Sequence, residues 1–208
     1  MKRTIDLDSW NRKEHFEFFS TFDDPFFGIT ASVDFTKSFR RCREEQKPFF
    51  LYSVHALLQC VNETEAFKLR IEGDHVVRYD AIHLSPTIGR DDGTFGFGFF
   101  EYDADFDRFR LHAEQEIARV KNGRGLSFSE HAGREDLIRY SALPWFAFSE
   151  MKHAVSFGRG DSVPRISTGK LVHEGERRLL PISVTLHHAL ADGRDVAELF
   201  EKLEAGPQ

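Results

Sequence analysis

The sequence predicts a single domain of the α/β class, an α+β sandwich in which a mixed sheet is flanked by helices. Alternating apolar runs typical of strands and amphipathic helical patterns both recur along the chain, without strict alternation between the two. The 208 residues, 40% of them hydrophobic and 30% charged, can bury one substantial core. We therefore expect one domain over residues 1–208.

The first half of the chain carries both strand and helix signals. In order, we predict a short strand or extended arm near Ile5 and Leu7, a helix opening at Trp10, a strand over residues 26–34, a helix capped by Thr36 that runs to about Gln46, and an apolar helix over residues 49–61. The strand at 26–34 is indicated by its alternating side chains, and the helix that follows by its N-terminal cap signal.

The second half is predicted to contain strands joined by glycine-containing turns. In order, we predict a hairpin of strands 69–71 and 75–79, strands over 82–88 and 94–102, a helix over 106–120, a loop over 121–135, an extended segment over 137–148, a loop over 157–163, and a final hairpin of strands 166–172 and 178–186. A helix follows the last strand, because Val196, Leu199 and Leu203 share one face.

The composition disfavours several classes of function. The net charge of −6 gives no general attraction to nucleic acid or anionic lipid, and no apolar run approaches the length that spans a membrane. The N-terminus turns acidic before a signal-peptide core could form, and Cys42 and Cys60 lack metal spacing and are interpreted as free thiols. We therefore expect a cytoplasmic protein without nucleic-acid or membrane partners.

One motif stands at the mouth of the last strand, H-H-x-x-x-D-G at residues 187–193. Imidazole can take and return a proton near neutral pH, and a histidine placed there can point into a cleft while the backbone behind it is rigid. Asp192 could cap the following helix or pair with a distant cation. A surface pair without function is one alternative. A metal site is another, but adjacent histidines on a strand point to opposite faces, so we expect no metal.

Two further motifs lie far from the histidines, W-x-R-K-E-H-F at residues 10–16 and S-A-x-P-W at residues 141–145. In this order and approximate spacing, the three motifs resemble the type A chloramphenicol acetyltransferases over essentially the whole chain. The histidine motif alone is also similar to acyltransferase subunits of 2-oxo acid dehydrogenases and to peptide-synthetase condensation domains. The first two motifs and the short single-domain length disfavour both of these relatives.

The resemblance implies a CoA-dependent acyltransferase-like fold and a homotrimer that transfers an acetyl group from acetyl-CoA to a hydroxyl. By position, His188 would be the general base and Ser141 the donor to the tetrahedral oxyanion. Ser167 stands where the family has a threonine near that oxyanion. Arg12 and Asp192 match an internal ion pair that braces the histidine loop.

The resemblance also implies an acceptor pocket, formed by Phe27 and Ile29 and by the Phe-rich strand that contains Phe95 and Phe97. These side chains suit chloramphenicol, an apolar aromatic molecule with a primary hydroxyl, although the glycines in the Phe-rich strand alter one wall. Two alternatives stay open: another hydroxylated metabolite as acceptor, and a ligand-sequestering protein that keeps the fold without turnover. The intact histidine and serine count against the second alternative.

The implied contacts to acetyl-CoA are Lys170 and Phe50. The chain departs from the family at Leu171, where an aromatic residue often stands, and over residues 153–158, which replace an Asn-rich segment. The resemblance assigns His187 a structural role.

Overall fold

The computed structural model describes residues 1–155 and 160–206. Residues 157–159 of the loop predicted over 157–163, and residues 156–158 of the segment that replaces the Asn-rich stretch, lie outside this described part. The elements are, in order, β1 Lys2–Thr4, α1 Lys13–Phe19, β2 Phe26–Asp34, α2 Thr36–Glu44, α3 Phe49–Glu63, a 3-10 helix Glu65–Lys68, β3 Leu69–Glu72, β4 His75–Tyr79, β5 His83–Gly89, β6 Phe95–Phe97, α4 Phe106–Asn122, β7 Leu137–Ala142, β8 Arg165–Thr168, β9 Val172–Glu174, β10 Arg177–His187 and α5 Gly193–Ala205.

Of the two sheets in the described part of the chain, the larger is mixed, as the sequence predicts. Its strand order is β2-β10-β8-β7-β5-β6, and β9 pairs with the beginning of β10. Strand β7 runs parallel to β5 and to β8, whereas the other pairs are antiparallel. A separate three-stranded sheet has the order β1-β4-β3. The long strand β10 thus holds β2, β8 and β9 in register.

One face of the larger sheet is the core of the molecule. Along β10, alternate residues Ile182, Val184 and Leu186 are buried in a cluster with the apolar side chains of the helices. Since successive side chains of a strand point to opposite faces, the residues between them line the other face. That other face is polar, and it carries the predicted site residues Ser141, Ser167, Phe95 and Phe97. Phe27 and Ile29 lie instead on the core face, opposite Leu186 and Val184.

Hydroxyl groups cross the polar face in a line, which we call the hydroxyl row: Thr87, Ser141, Ser167, Ser183 and Thr30, on β5, β7, β8, β10 and β2. Two pairs within the row are hydrogen bonded, Thr87 with Ser141 at 3.0 Å and Thr30 with Ser183 at 3.0 Å. The middle member, Ser167, is fully buried and has a different partner, described below.

Several boundaries differ from the sequence prediction near the N-terminus. The first strand is Lys2–Thr4, while Ile5 and Leu7 pack instead on a small cluster around Phe16. Helix α1 begins at Lys13 rather than at Trp10.

The cap predicted at Thr36 was also wrong. Thr36 is the first helical residue of α2, and the carboxylate of Asp34 accepts from its backbone nitrogen at 3.0 Å. An aspartate two residues upstream therefore satisfies this helix end, because its side-chain oxygen reaches a free N–H of the first turn.

The strands predicted over 94–102 and 166–172 are shorter than expected. Strand β6 ends at Phe97, and beyond it only an isolated bridge joins Leu84 and Phe100. The second run is divided into β8 and β9, and the backbone nitrogen of Lys170 donates to Phe146 instead of to β10. Opposite this interruption β10 contains Pro181, which has no N–H to donate to the ladder.

Cys42 and Cys60 are buried free thiols in α2 and α3. Burial raises the pKa of Cys60 to about 12 and also raises the pKa of Cys42. Within residues 1–155 and 160–206, none of the helices has both the length and the apolar character needed to cross a membrane.

Candidate active site

The H-H-x-x-x-D-G motif forms a tight turn between β10 and α5. The backbone nitrogens of Leu190 and Ala191 both donate to the carbonyl of His187, at 3.0 and 3.2 Å. The backbone nitrogen of His188 donates to the carbonyl of Pro25 at 2.8 Å, which ties the turn to the beginning of β2. The turn therefore holds His188 at the end of a rigid strand, as the sequence predicts.

The imidazole of His188 is oriented from both sides. Its Nδ1 lies 3.1 Å from the carbonyl oxygen of Ala191, and its ring stacks on Phe19 with a centroid distance of 4.0 Å and an interplanar angle of 15°. The ring of Phe27 also packs against it, with a centroid distance of 4.6 Å. Because a carbonyl oxygen only accepts, Nδ1 of the neutral ring carries the hydrogen and Nε2 keeps its lone pair. The ring is thus arranged as a proton acceptor at Nε2.

An ion pair braces the turn, between the residues for which the resemblance implies one. The guanidinium of Arg12 donates to the carboxylate of Asp192 at 2.7 Å and to the carbonyl of His188 at 3.2 Å. The hydrogen bond from Arg12 holds the pKa of Asp192 below its usual value. The Arg12 side chain is only 18% exposed, but the Asp192 side chain is 41% exposed, so the pair lies at the surface rather than in the core.

Asp192 is also the N-cap of α5, so it performs both roles that the sequence suggests. Its carboxylate accepts from the backbone nitrogen of Arg194 at 2.9 Å, and its own backbone nitrogen donates to Asp195 at 2.8 Å. This reciprocal arrangement is a capping box, which satisfies free N–H groups at the start of the helix.

His187 faces away from this arrangement and is buried. Its Nδ1 accepts from the backbone nitrogen of Ala189 at 3.3 Å, and its ring packs edge-on against Phe26. Burial lowers the pKa of His187 to about 4, so the ring is neutral near pH 7. In the part of the chain that the structure describes, no group of three or more His, Cys, Asp or Glu side chains is placed to hold a metal.

Ser141 lies in a cavity of about 700 Å³ on the polar face of the sheet. The cavity contains three members of the hydroxyl row, Thr87, Ser141 and Ser167. Aromatic and aliphatic side chains form much of its wall, among them Phe97, Phe99, Phe128, Leu137 and Met151. A cavity of this size, largely apolar with a few convergent hydroxyls, is typical of a small-molecule site.

One part of the cavity wall is charged. The carboxylate of Asp161 accepts from Arg139 and from Arg165, each at 2.5 Å. Arg165 and Asp161 are almost fully buried, with side-chain exposures of 4% and 9%, whereas Arg139 is half exposed. Sequence reasoning did not identify this cluster, because Asp161 lies in an irregular segment outside every motif.

His153, which sequence reasoning also missed, stands in the same cavity. Its Nε2 lies 2.9 Å from the hydroxyl oxygen of Ser167 and its Nδ1 lies 2.8 Å from that of Thr185. Burial, with a smaller contribution from Arg165, lowers the pKa of His153 to about 4. No spacing in the sequence signals this contact, since His153 precedes β8 in a segment without regular structure.

Within the chain, His188 and Ser141 lie far apart. Ser141 is opposite Ser167, which is opposite Ser183, and His188 follows Ser183 by five residues along β10. Two inter-strand steps and five residues of strand separate the two positions by roughly 19 Å. A base and an oxyanion donor serving one tetrahedral intermediate must lie within about 8 Å of each other, because each must hydrogen bond to it.

The residues predicted for the acceptor pocket divide in the same way. Phe97 lines the Ser141 cavity. Phe27 contacts the His188 ring. Ile29 follows Phe27 by two residues on the same face of β2 and lies near Gly193. Phe95 is 49% exposed and packs edge-on against Phe97. The structure therefore brings the predicted site residues into two groups, one at each end of the sheet.

The two residues expected to contact acetyl-CoA lie at the surface. Phe50 is 37% exposed in the first turn of α3. Lys170 is exposed in the interruption between β8 and β9, and Leu171 after it packs against the core.

Comparison with known proteins places this geometry in context. The family model described as chloramphenicol acetyltransferase matches residues 2–204. The chain is 28% identical over 201 residues to a chloramphenicol acetyltransferase of Escherichia coli, covering 96% of this chain and 94% of that protein. It is 30% identical over 203 residues to one of Streptomyces acrimycini, covering 96% and 91%. A solved structure of a chloramphenicol acetyltransferase matches with a TM-score of 0.90 and 31% identity, over 99% of both chains.

Proposed function

The chain belongs to the chloramphenicol acetyltransferase family and is an acyltransferase, and on this premise we propose that it transfers an acetyl group from acetyl-CoA to a hydroxyl, with His188 as general base. The observation that carries this proposal is the contact of His188 Nδ1 with the carbonyl of Ala191. It leaves the lone pair of Nε2 available to accept a proton.

In the proposed reaction, Nε2 of His188 takes the proton of the acceptor hydroxyl as that oxygen attacks the thioester carbonyl. The carbonyl oxygen becomes an oxyanion, to which Ser141 donates its hydroxyl hydrogen, with Ser167 beside it. Collapse of the tetrahedral intermediate breaks the carbon–sulfur bond, and the leaving CoA thiolate takes the proton back from His188. A positioned base of this kind contributes about two to four powers of ten in rate, and one oxyanion donor about two to three.

We further propose that the chain acts as a single domain in a homotrimer, with each site formed between two subunits. The separation of roughly 19 Å within one chain supports this arrangement, because His188 of one subunit and Ser141 of its neighbour can then face a common acceptor. The exposed aromatic side chains near His188, Phe18 and Phe22, are suited to such a contact.

Chloramphenicol is the acceptor that we propose first. Its support is the family and the aromatic wall around Ser141, which matches an apolar ring-bearing alcohol. A second acceptor class, a more polar hydroxylated molecule, is favoured by the Arg139–Asp161–Arg165 cluster. Charged groups in the wall can hydrogen bond to a polar acceptor, whereas an apolar body gains little from them.

The test is CoA release, followed with a thiol-reactive chromophore. Because Cys42 and Cys60 are buried and have raised pKa values, the signal should come from CoA rather than from the protein. Acetyl-CoA with chloramphenicol should release CoA, and His188→Ala should abolish turnover while the variant still folds and binds CoA. Near-normal turnover by that variant would remove His188 from the mechanism, whereas turnover only with other alcohols would reject the drug alone.

The same buried thiols fit a reducing compartment, and we propose the cytoplasm, where acetyl-CoA is available. The proposed chemistry uses no metal.

A further inference from the structure

His153 occupies an unusual position beside the predicted oxyanion site. It lies between β7 and β8, lines the cavity of Ser141, and bridges two hydroxyls on neighbouring strands, Ser167 on β8 and Thr185 on β10. Ser167 stands next to Ser141 in the hydroxyl row, at the paired position of the parallel strands β7 and β8. The ring therefore contacts the one member of the row that has no hydroxyl partner within the row.

A neutral imidazole has one N–H and one lone pair, so only two arrangements satisfy both contacts. In the first, Nδ1–H donates to Thr185 and the Ser167 hydroxyl donates to Nε2, which consumes the hydrogen of Ser167. In the second, the Thr185 hydroxyl donates to Nδ1 and Nε2–H donates to the oxygen of Ser167. The hydrogen of Ser167 is then free to point into the cavity.

The charge distribution favours the second arrangement. The guanidinium of Arg165 lies over the ring of Phe26, with its Cζ 4.8 Å from the ring centroid. Phe26 is paired with His187, on the opposite side of Thr185 from Ser167, so the positive charge lies on the Nδ1 side of the His153 ring. A nearby cation favours the tautomer in which the ring nitrogen closer to it has the lone pair and the farther nitrogen has the hydrogen. Asp161 pairs with Arg165 and weakens this preference, while Arg165 contributes to the lowered pKa of His153.

We propose that His153 is a positioning residue, which donates from Nε2 to Ser167 and so turns the Ser167 hydroxyl hydrogen toward the oxyanion. The inference rests on the proposed acetyl transfer. Ser141 and Ser167 would then donate side by side, and His153 would set the direction of the second donor without touching the substrate.

Two matched variants test the placement of the donor. The amide nitrogen of a glutamine can reach the place of Nε2, whereas the amide of an asparagine reaches only the place of Nδ1. His153→Asn should lower kcat about tenfold with little change in the KM of the acceptor, the loss expected for one hydrogen bond made in the transition state. His153→Gln should recover much of that loss.

The same substitutions in a Ser167→Ala background separate positioning from packing. If His153 acts through Ser167, His153→Asn should change kcat by no more than about twofold once the hydroxyl is gone. An equal loss in both backgrounds, or a loss as large as that of His188→Ala, would overturn the proposal.

A spectroscopic measurement on the unmodified protein tests the direction of the hydrogen bond without turnover. In ¹⁵N-histidine-labelled protein near pH 7, the nitrogen of His153 without a hydrogen should be Nδ1, with the signal assigned by its loss in His153→Gln. A hydrogen on Nδ1 would overturn the proposal. If no acceptor supports turnover, the proposed function fails, and the nitrogen shifts still decide the direction of the hydrogen bond.

Discussion

The separation of His188 from Ser141 makes a quantitative prediction about mixed assemblies. His188→Ala lacks the proposed base, and Ser141→Ala lacks the proposed oxyanion donor. Each variant alone should lose at least about two powers of ten in kcat. When the two are co-expressed in equal amounts, activity should reappear, because some sites then combine an intact His188 from one chain with an intact Ser141 from its neighbour.

The size of the recovery follows from the geometry. In a randomly mixed trimer, the chain that contributes His188 to a given site carries the intact histidine in half of the cases. The neighbouring chain that contributes Ser141 carries the intact serine in half of the cases. About a quarter of all sites are therefore complete, and the mixture should show about a quarter of wild-type kcat per subunit. If both groups served one site within a single chain, no mixed site would be complete and no activity would return.

The measurement needs two tags and one control. The variants carry different affinity tags, and hybrid trimers are isolated by two successive purifications. Each isolated hybrid has one complete site among its three boundaries, so the expected recovery rises from about a quarter to about a third of wild-type kcat. CoA release is assayed at saturating substrates. The control is wild type co-expressed with the double variant, which shows whether the variant chains assemble normally. Hybrids that contain both chains yet remain as inactive as the single variants would refute the shared site.

Four further predictions address the turn around His188 and the assembly. Asp192→Ala should lower the free energy of unfolding by about 1.5 kcal/mol, of which about 1 kcal/mol comes from the lost helix cap and the rest from a half-exposed ion pair. Asp192→Asn keeps the cap and should lower it by only about 0.5 kcal/mol. Both values are measured by urea denaturation at fixed protein concentration. Equal costs for the two would contradict the role of the cap. The folded-state pKa of Asp192 is below its usual 3.8, so its charged form contributes stability that is fully present above about pH 4 and is lost as the pH falls through the lowered pKa. The difference in unfolding free energy between wild type and Asp192→Asn should therefore narrow on acidification. A constant gap would show that the charge does not matter. Phe19→Ala, which removes the ring stacked on His188, should lower kcat by about three- to tenfold with unchanged CoA affinity, as expected for loss of one aromatic contact; an unchanged kcat would show that the remaining contacts orient the ring. Light scattering at micromolar concentration should give the mass of three chains, and a monomer would reject the trimer.

Local patterns predicted the regular elements well, because those elements are specified by neighbouring residues. Strand β2 spans Phe26–Asp34 as its alternation predicts, and α3 continues the predicted apolar helix to Glu63. The division of the predicted strand 166–172 into β8 and β9 was not predicted. It occurs where Pro181 of β10 faces that strand, and a pairing between distant residues is not visible in a short segment of sequence.

The site divides between what motifs reveal and what only the register reveals. The turn at His188 and the Arg12–Asp192 pair were predicted, the second through the family resemblance, since 180 residues separate its members. The hydroxyl row depends on how strands pair across the sheet, and His153 reaches Ser167 from a segment without regular structure. Neither leaves a periodic signal in the sequence.

The long strand β10 has a consequence for how such a protein can change over generations. In the proposed trimer, Thr185 of the strand contacts His153 at one site, while His188 just beyond the end of the strand serves the neighbouring site. Inserting or deleting one residue between them would move the histidine and also turn alternate side chains from the polar face to the core. Two active sites thus depend on the same stretch of chain. Substitutions that change acceptor preference are therefore better tolerated in the cavity wall than in this strand.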